Sequence, residues 1–282
     1  MMRAVTSMFV VMPLSVMLSV VTLSGTAPPL RVCADPNNLP FTNQRGEGFE
    51  NRIAELLARD LHTHIEYTWW AQRRGFLRYT LQAGRCDVVM GLPSGVHAVL
   101  ATQPYYRSTY MFVTRRAHHL DIRSFDDPRL KTLRIGVPMV GDDGANAPPA
   151  HALAHRGIVA NVVGYSVYGD YRQESPPSHL IAAVARGDVD VAIAWGPLAG
   201  FFASRQTVSL RLARIARQVD AAGLPLAFDI SMATRRGDAA RHAMLEAFIR
   251  RRRVQLDRIL SDFHVPRVDV DARAAHATEE PF

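Results

Sequence analysis

The sequence is poor in lysine: Lys131 is the only lysine among 33 strongly basic residues, and the others are arginines. The formal net charge of +7 does not indicate a nucleic-acid partner, because the arginines are scattered and no helix-turn-helix or zinc-finger spacing occurs. Cysteine is also scarce, and without a Cys-x-x-Cys motif the chain lacks the pattern of a thioredoxin-like redox site. After residue 23 no apolar run approaches the length that spans a bilayer.

Residues 1–27 have the pattern of a secretory signal peptide. A single arginine precedes an apolar run that extends from residue 4 to about residue 23, and small residues follow it. Cleavage is expected between Ser24 and Ala27. The alternative is an uncleaved anchor, since the run is almost long enough to cross a bilayer, but Pro13 and the small residues favour cleavage. We therefore predict export to the periplasm and no stable membrane insertion of the mature chain.

Export gives the two cysteines, Cys33 and Cys86, a structural meaning. In an oxidising compartment an isolated pair forms a disulfide more often than a metal or redox site. In a parallel doubly wound sheet the first and third strands are neighbours, which brings these two positions within bridging distance. The alternative is two unrelated buried thiols.

Strand-like and helix-like segments alternate along the mature chain, which predicts parallel βαβ units. With 282 residues, of which 48% are hydrophobic, the chain is large enough for about two domains. The strand-like segments are LRVCAD (30–35), HIEYTWW (64–70), CDVVMGL (86–92), TYMFVTRR (109–116), LRIGV (133–137), DVDVAIAW (188–195) and LPLAFDISMATRR (224–236). The helix-like segments are residues 49–61, 73–84, 178–187 and one long amphipathic stretch, 238–263.

Several motifs resemble those of periplasmic solute-binding proteins. GFENRIAELLA (48–58), LQAGRCDVVMGL (81–92) and TQPYYRSTYMFV (102–113) are similar to segments of the amino-acid-type receptors. CADPNNLPF, QRRGF, VGDDGANAPPAHALA, GYSVYGDYR and AWGPLAG resemble one branch, the J-type (MxaJ/XoxJ-like) proteins encoded beside quinoprotein methanol and alcohol dehydrogenases. The resemblance covers nearly all of the mature chain and implies an α/β, two-domain periplasmic-binding-protein (type 2) fold with a cleft between the domains.

The resemblance also implies the domain boundaries. The first α/β domain is expected to comprise residues 28–117 and 226–268, because the last helix returns to it, and the second to comprise residues 118–225. Residues 269–282 are expected to form a flexible tail.

The sequence departs from the amino-acid receptors at the positions that bind their ligand. Those receptors place an arginine after the glycine-containing strand, where it pairs with the ligand carboxylate, but residues 91–106 contain no arginine. Trp195 stands near the place of their acidic ammonium ligand. The turn at residues 141–144, GDDG, has two carboxylates where a helix N-terminus would otherwise favour an anion. We therefore expect no common L-amino acid to bind with micromolar affinity.

Two sets of residues are candidates for binding. Each has an ordinary alternative, since tryptophans commonly pack in cores and arginines commonly face solvent. The cleft or ligand candidates are Asp35, Phe41, Trp69, Arg73, Arg74, Tyr105 and Trp195. The partner-binding candidates are Tyr165, Tyr168 and Tyr171, whose amphipathic rings are typical of interfaces.

Metal binding and catalysis have little support in the sequence. His151 and His155 are four residues apart and could join Asp142 or Asp143 around a metal, but solvated histidines are more common and no His-Glu-x-x-His motif occurs. No nucleophile elbow or Ser-His-Asp set is evident, and a bridged cysteine pair leaves no catalytic thiol. We expect no metal, no cofactor and no enzymatic activity.

Three functions stay open at this stage. The resemblance implies an accessory protein that binds a periplasmic PQQ-dependent methanol or alcohol dehydrogenase, with its cytochrome c as a further candidate partner, and assists its maturation or activation. The alternative is the receptor of an ABC importer for a small solute other than a plain amino acid. A cryptic lyase on the same fold is the third.

Overall fold

The computed structural model describes residues 27–139, 147–167, 171–172 and 175–268. The predicted signal peptide, the GDDG turn, Tyr168 and the predicted tail lie outside these residues, apart from Ala27. Within the described part of the chain, no helix is long and apolar enough to cross a membrane.

Strands and helices alternate through most of the described chain. The strands are β1 (Leu30–Ala34), β2 (Asn37–Asn38), β3 (Thr42–Asn43), β4 (Ile65–Trp69), β5 (Val88–Pro93), β6 (Leu100–Ala101), β7 (Tyr106–Arg115), β8 (Ile135–Met139), β9 (Val162–Ser166), β10 (Val191–Trp195), β11 (Leu210–Arg214) and β12 (Ala227–Thr234). The helices are α1 (Phe49–Asp60), α2 (Phe76–Tyr79), α3 (Pro148–Ala154), α4 (Ser178–Arg186), α5 (Gly196–Ala203), α6 (Ala239–Arg251) and α7 (Arg253–Asp262).

The main sheet has the strand order β4-β1-β5-β12-β7-β10-β8-β9, with β6 beside β12 and β11 beside β7. Strand β1 is parallel to β4 and β5, and β8 is parallel to β9 and β10, so each end of the sheet contains parallel βαβ units. Strands β7 and β12 are antiparallel to their neighbours and join the two ends. The predicted alternation of parallel units is confirmed.

Strand β7 belongs to both ends of the sheet. Its first four residues pair with β12, and from Tyr110 onward it pairs with β10. One hydrophobic core forms beneath β1, β5, α1, α6 and α7, and two others form around β8 and β10. Trp195 and Phe228 pack against cores of both ends. The chain therefore forms two domains joined at β7 and β12, and we retain the boundaries at 117/118 and 225/226 as a proposal.

The predicted disulfide is confirmed: Cys33 and Cys86 are bonded, with their Cα atoms 5.4 Å apart. Cys33 lies in β1 and Cys86 just precedes β5. The bond therefore ties the first strand to its neighbour, as the strand order β4-β1-β5 requires.

Two predicted helices differ from the structure. The helix expected over residues 73–84 is confined to the single turn of α2, because Thr80 leaves the helical region with φ −118° and ψ −82°. The helix expected over residues 238–263 breaks at Arg252 into α6 and α7. Helix α6 packs on β12 and α7 packs on α1. The break allows both apolar faces to reach the same core.

The segment after α7 crosses from the first domain to α5 of the second. Phe263 stacks on Phe201, with ring centroids 5.5 Å apart. The hydroxyl of Ser108 donates to the Pro266 carbonyl at 2.6 Å. A Cβ atom on Gly200 would lie 1.9 Å from the His264 carbonyl oxygen, so only glycine permits this approach. Residues 264–268 thus connect the two domains in addition to β7 and β12. We call these residues the C-terminal strap.

Candidate functional site

A cavity of about 240 Å³ lies between the two domains. Among its described lining residues there is no arginine, lysine or histidine, and one carboxylic acid, Glu50, is present. The lining residues are Asn38, Phe41, Glu50, Gln72, Gly91, Leu92, Pro93, Tyr106, Tyr110, Pro138, Val167, Leu180, Trp195, Leu198, Phe228 and Ile230. The cleft is therefore mainly apolar, with a few polar groups.

Strand ends position the floor and the aromatic wall of this cavity. Gly91 lies near the carboxyl end of β5, and Trp195 is the last residue of β10. In open α/β sheets ligands bind at these carboxyl ends. The Trp195 ring packs edge-on against Tyr110 and Phe228, with centroids 5.4 and 5.7 Å away. Trp195 therefore forms part of the cavity wall, at the junction of the two domain cores.

Phe41 is held in the wall by the start of α1. Its carbonyl accepts a hydrogen bond of 2.9 Å from the backbone N–H of Glu50, and its ring packs on Phe49 at 5.4 Å. The loop that carries Phe41 is thus attached to the helix N-terminus. Phe41 and Trp195 are the two cleft candidates from the sequence that line the cavity.

Glu50 presents a buried carboxyl group to the cavity. Only 6% of the residue is exposed, and burial raises its pKa to about 8. A Cβ atom on Gly91 would lie 2.1 Å from Glu50 Oε1, so the carboxyl group lies directly over the glycine. In the described part of the chain its side chain has no hydrogen-bond or ion-pair partner. The carboxyl is therefore largely protonated at neutral pH.

Tyr105 lies beneath the cavity and does not line it. It is fully buried, and its hydroxyl oxygen has no hydrogen-bond partner within the described residues. Burial, followed by the nearby Glu50, raises the pKa of Tyr105 well above its usual value. Its neighbour Tyr106 reaches the cavity instead.

Asp35 organises the polar rim of the cavity without lining it. Its carboxylate accepts hydrogen bonds from the backbone N–H groups of Gln72, at 2.6 Å, and Asn37, at 2.8 Å. Gln72 in turn accepts a hydrogen bond of 3.1 Å from the Asn38 side chain. Burial raises the pKa of Asp35, which these hydrogen bonds partly offset. Asp35 therefore fixes the two loops that bring Asn38 and Gln72 to the cavity.

The other cleft candidates do not line the cavity. Trp69 stacks on Tyr67 in β4, with ring centroids 4.4 Å apart. Arg73 and Arg74 are exposed in the turn before α2. Burial raises the pKa of Asp35, and the charge of Arg73 offsets a small part of this rise. Their roles in ligand binding stay predictions.

The partner candidates occupy different environments. Tyr171 is 51% exposed. Tyr165, in β9, is partly buried and packs against the second-domain core. Tyr168 lies outside the described residues. Their roles in partner binding also stay predictions.

The histidine pair is not placed in a metal centre by the described residues. His151 lies in α3 and His155 caps its C-terminus, and both are exposed. Asp142 and Asp143 lie outside the described residues. Elsewhere in the described chain, no three acidic, histidine or cysteine side chains are grouped so that they could hold a metal ion.

Sequence reasoning missed four aromatic or acidic residues of the cavity: Glu50, Tyr106, Tyr110 and Phe228. Glu50 and Tyr106 lie in the segments that carried the family resemblance, GFE and PYY. A glutamate next to Phe49 at the start of an amphipathic helix was the available signal for a buried acid. Nothing in the local sequence shows that Phe228, from a distant strand, faces Trp195.

No family profile matches the chain. It is 30% identical over 243 residues to the protein MoxJ of Methylorubrum extorquens, which covers 84% of this chain and 81% of the relative. The chain belongs to the MoxJ family. A second relative, MoxJ of Paracoccus denitrificans, is 26% identical and covers 84% of this chain and 88% of the relative.

Solved structures of the same family agree with the fold. The periplasmic binding protein XoxJ from Methylobacterium extorquens is 32% identical, with a TM-score of 0.70 over 86% of this chain and all of the other. MxaJ from Methylophaga aminisulfidivorans is 25% identical, with a TM-score of 0.74 over 85% of this chain and all of the other. An amino-acid ABC-transporter binding protein, at 18% identity and a TM-score of 0.57 over 84% and 99%, shares the fold alone. The two-domain periplasmic-binding-protein fold and the J-type resemblance are confirmed.

Proposed function

We propose that this MoxJ-family protein is a periplasmic accessory protein that binds a PQQ-dependent methanol or alcohol dehydrogenase and assists its maturation or activation. The observation that carries the proposal is the 30% identity to MoxJ over most of both chains. Its location follows from residues 1–27, which have the pattern of a signal peptide. The cytochrome c that accepts electrons from the dehydrogenase is a further candidate partner.

The chemistry of the cleft supports a role other than amino-acid transport. An amino acid brings a carboxylate, but none of the described residues that line the cavity carries a positive charge. Desolvating that carboxylate without a partner costs several kcal/mol. This chain therefore has the two-domain frame without the charge pairing that an amino-acid receptor needs.

The proposed docking surface contains Tyr165, Tyr168 and Tyr171. Of these, Tyr171 lies beside Asn37 and Leu39 of the first domain. Near it the backbone N–H of Ser175 donates to Asn37 of the first domain at 3.2 Å. Both domains therefore contribute to this region of the surface. An exposed ring such as that of Tyr171 offers contact area at a low cost in side-chain entropy. The net charge of +7 would also speed encounter with an acidic partner.

A deletion strain tests the proposal. We expect loss of the gene to lower the activity and the PQQ-loaded fraction of the periplasmic dehydrogenase, with full recovery from the wild-type gene. Alanine at Tyr165, Tyr168 and Tyr171 together should reduce recovery and weaken co-purification with a tagged dehydrogenase. Tyr79→Ala, which removes a ring that is 47% exposed elsewhere on the first domain, is the matched control. Full dehydrogenase activity in the deletion strain, where that enzyme limits growth, would refute the accessory role.

A second candidate function is the receptor of an ABC importer for a small solute other than a plain amino acid. The cavity between the domains, with one buried carboxyl group, favours it, since a surface used only for docking does not need such a cavity. Importer genes beside this gene, in place of dehydrogenase genes, would support the receptor.

A further inference from the structure

Two buried polar groups meet without partners beside Gly91. A Cβ atom there would lie 2.1 Å from Glu50 Oε1 and 3.5 Å from the Tyr105 hydroxyl oxygen. In the described chain neither side chain makes a hydrogen bond, although Glu50 is only 6% exposed and Tyr105 is 0% exposed. Buried polar groups in proteins are almost always satisfied. Glu50 also lines the cavity, so a molecule in the cleft can supply its missing partner.

The helix N-terminus does not remove the need for that partner. Glu50 is the second residue of α1, where the helix dipole favours a negative charge by up to about 2 kcal/mol. Burial nevertheless dominates, as the pKa of about 8 shows. An uncharged isostere at this position would avoid the cost of burial.

The lining restricts the chemistry of the ligand. With no cationic residue among the described lining residues, the cavity has nothing to pair with an anion. Five aromatic rings surround it, and aromatic faces attract both apolar groups and organic cations. The rings belong to Phe41, Tyr106, Tyr110, Trp195 and Phe228. A single buried carboxyl within such a cage is complementary to an ammonium group on an apolar body.

We propose that the cleft binds a small organic amine in its ammonium form, with the ammonium group paired to Glu50 and the apolar part held between the aromatic rings of both domains. The inference concerns the cavity alone and does not rest on the docking proposal. Such a site should not bind amino acids, because their carboxylate would remain unpaired in the cavity.

Binding of an ammonium group should release a proton. The titratable groups that face Glu50 are Tyr67 from β4, Tyr105 from the segment before β7 and Tyr106 from β7, and burial raises the pKa of all three. They are therefore neutral near pH 7 and do not compensate for a charge on Glu50. The empty cleft holds Glu50 largely protonated, whereas the bound ammonium requires the carboxylate. Affinity should rise between pH 6 and pH 8, by on the order of 50-fold for one coupled proton.

Titration calorimetry with three matched probes tests the proposal. 2-Phenylethylamine carries the ammonium group, 2-phenylethanol lacks the charge and L-phenylalanine adds a carboxylate. Butylamine and cyclohexylmethylamine extend the amine set to other shapes. We expect at least one amine to bind, with the alcohol and the amino acid at least tenfold weaker than 2-phenylethylamine. The heat should depend on the ionisation enthalpy of the buffer, because a proton is released.

Variants assign the effect to the carboxyl group. Glu50→Gln keeps the shape and should lower amine affinity at least tenfold and remove its pH dependence. Glu55→Gln, about one and a half turns further along α1, should leave both unchanged. If Glu50→Gln does not fold, the buffer dependence and the probe ranking of the wild-type protein still decide the matter.

Three results would overturn the inference: no amine of the set binds, the alcohol binds as tightly as 2-phenylethylamine, or affinity is independent of pH. Each concerns the purified protein. Failure here would therefore leave the accessory role to be judged by the deletion strain.

Discussion

Gly200 offers a direct test of the contact between α5 and the C-terminal strap. In an ordinary helix interior, alanine in place of glycine stabilises by about 1 kcal/mol. At Gly200 we expect the opposite sign, because the new Cβ would lie 1.9 Å from the His264 carbonyl oxygen and 3.1 Å from Pro266 Cδ. The strap must move away from the helix to accommodate it.

The magnitude follows from what the displacement disrupts. Overpacking of a tight contact costs about 1–3 kcal/mol. If the strap moves, the hydrogen bond of 2.6 Å from Ser108 to the Pro266 carbonyl is also lost, at about 1 kcal/mol. Set against the gain in helix propensity, the net expectation for Gly200→Ala is a loss of about 1–3 kcal/mol in the free energy of unfolding.

A double-mutant cycle separates this contact from other effects. Urea denaturation would be measured for the wild type, Gly200→Ala, a chain lacking residues 264–282, and the combination. In the truncated chain the obstacle is gone, so the alanine should become neutral or stabilising by up to about 1 kcal/mol. Gly237→Ala, where a Cβ meets nothing within 4 Å, is the control in the intact chain.

The change of sign is the decisive result. If Gly200→Ala destabilises the intact and truncated chains equally, the strap does not lie against α5. If it stabilises the intact chain, the close approach is absent in solution.

Two further predictions concern the disulfide and Glu50. Replacing both Cys33 and Cys86 by serine should lower the free energy of unfolding by roughly 4 kcal/mol, because the disulfide closes a loop over a sequence separation of 53 residues. Two free thiols in the mass spectrum of the exported wild type would contradict the bond. Burial raises the pKa of Glu50 from 4.5 to about 8, so the stability from its bound proton is fully present below pH 4.5 and is lost as pH rises towards 8. Relative to Glu50→Gln, the wild type should lose up to about 1.4 kcal/mol per pH unit in that window, measured without ligand; a constant difference would contradict the buried acid.

Much of the fold could be predicted from local patterns. Hydrophobic periodicity predicts the strands and helices, and the two cysteines predict that β1 and β5 are adjacent. Val88 to Met90 form an apolar run that is typical of a buried strand, and the disulfide follows from strand adjacency. The break at Arg252 could not be predicted in this way, since four consecutive arginines favour a continuous helix. Tertiary packing of α6 on β12 and of α7 on α1 decides it.

The candidate site could be predicted only in part. Phe41 and Trp195 were expected in the cleft because turn residues and a strand end mark their positions. Glu50 was not expected there, because residues distant in sequence bury its carboxyl group, and its neighbours along α1 do not. Whether an acidic residue is solvated or buried is a property of the assembled domains.

Strand β7 has a mechanical consequence for how the cleft opens. Thr109 pairs with β12 and Tyr110, the next residue, pairs with β10, so no unpaired linker separates the two ladders. A rotation of one domain against the other must be absorbed as torsion of a continuous strand. The junction should therefore resist rotation of the domains and favour one angle between them. Amide hydrogen exchange at Thr109 and Tyr110 would report whether the two ladders separate when the cleft opens, because the ladder changes partner between these residues.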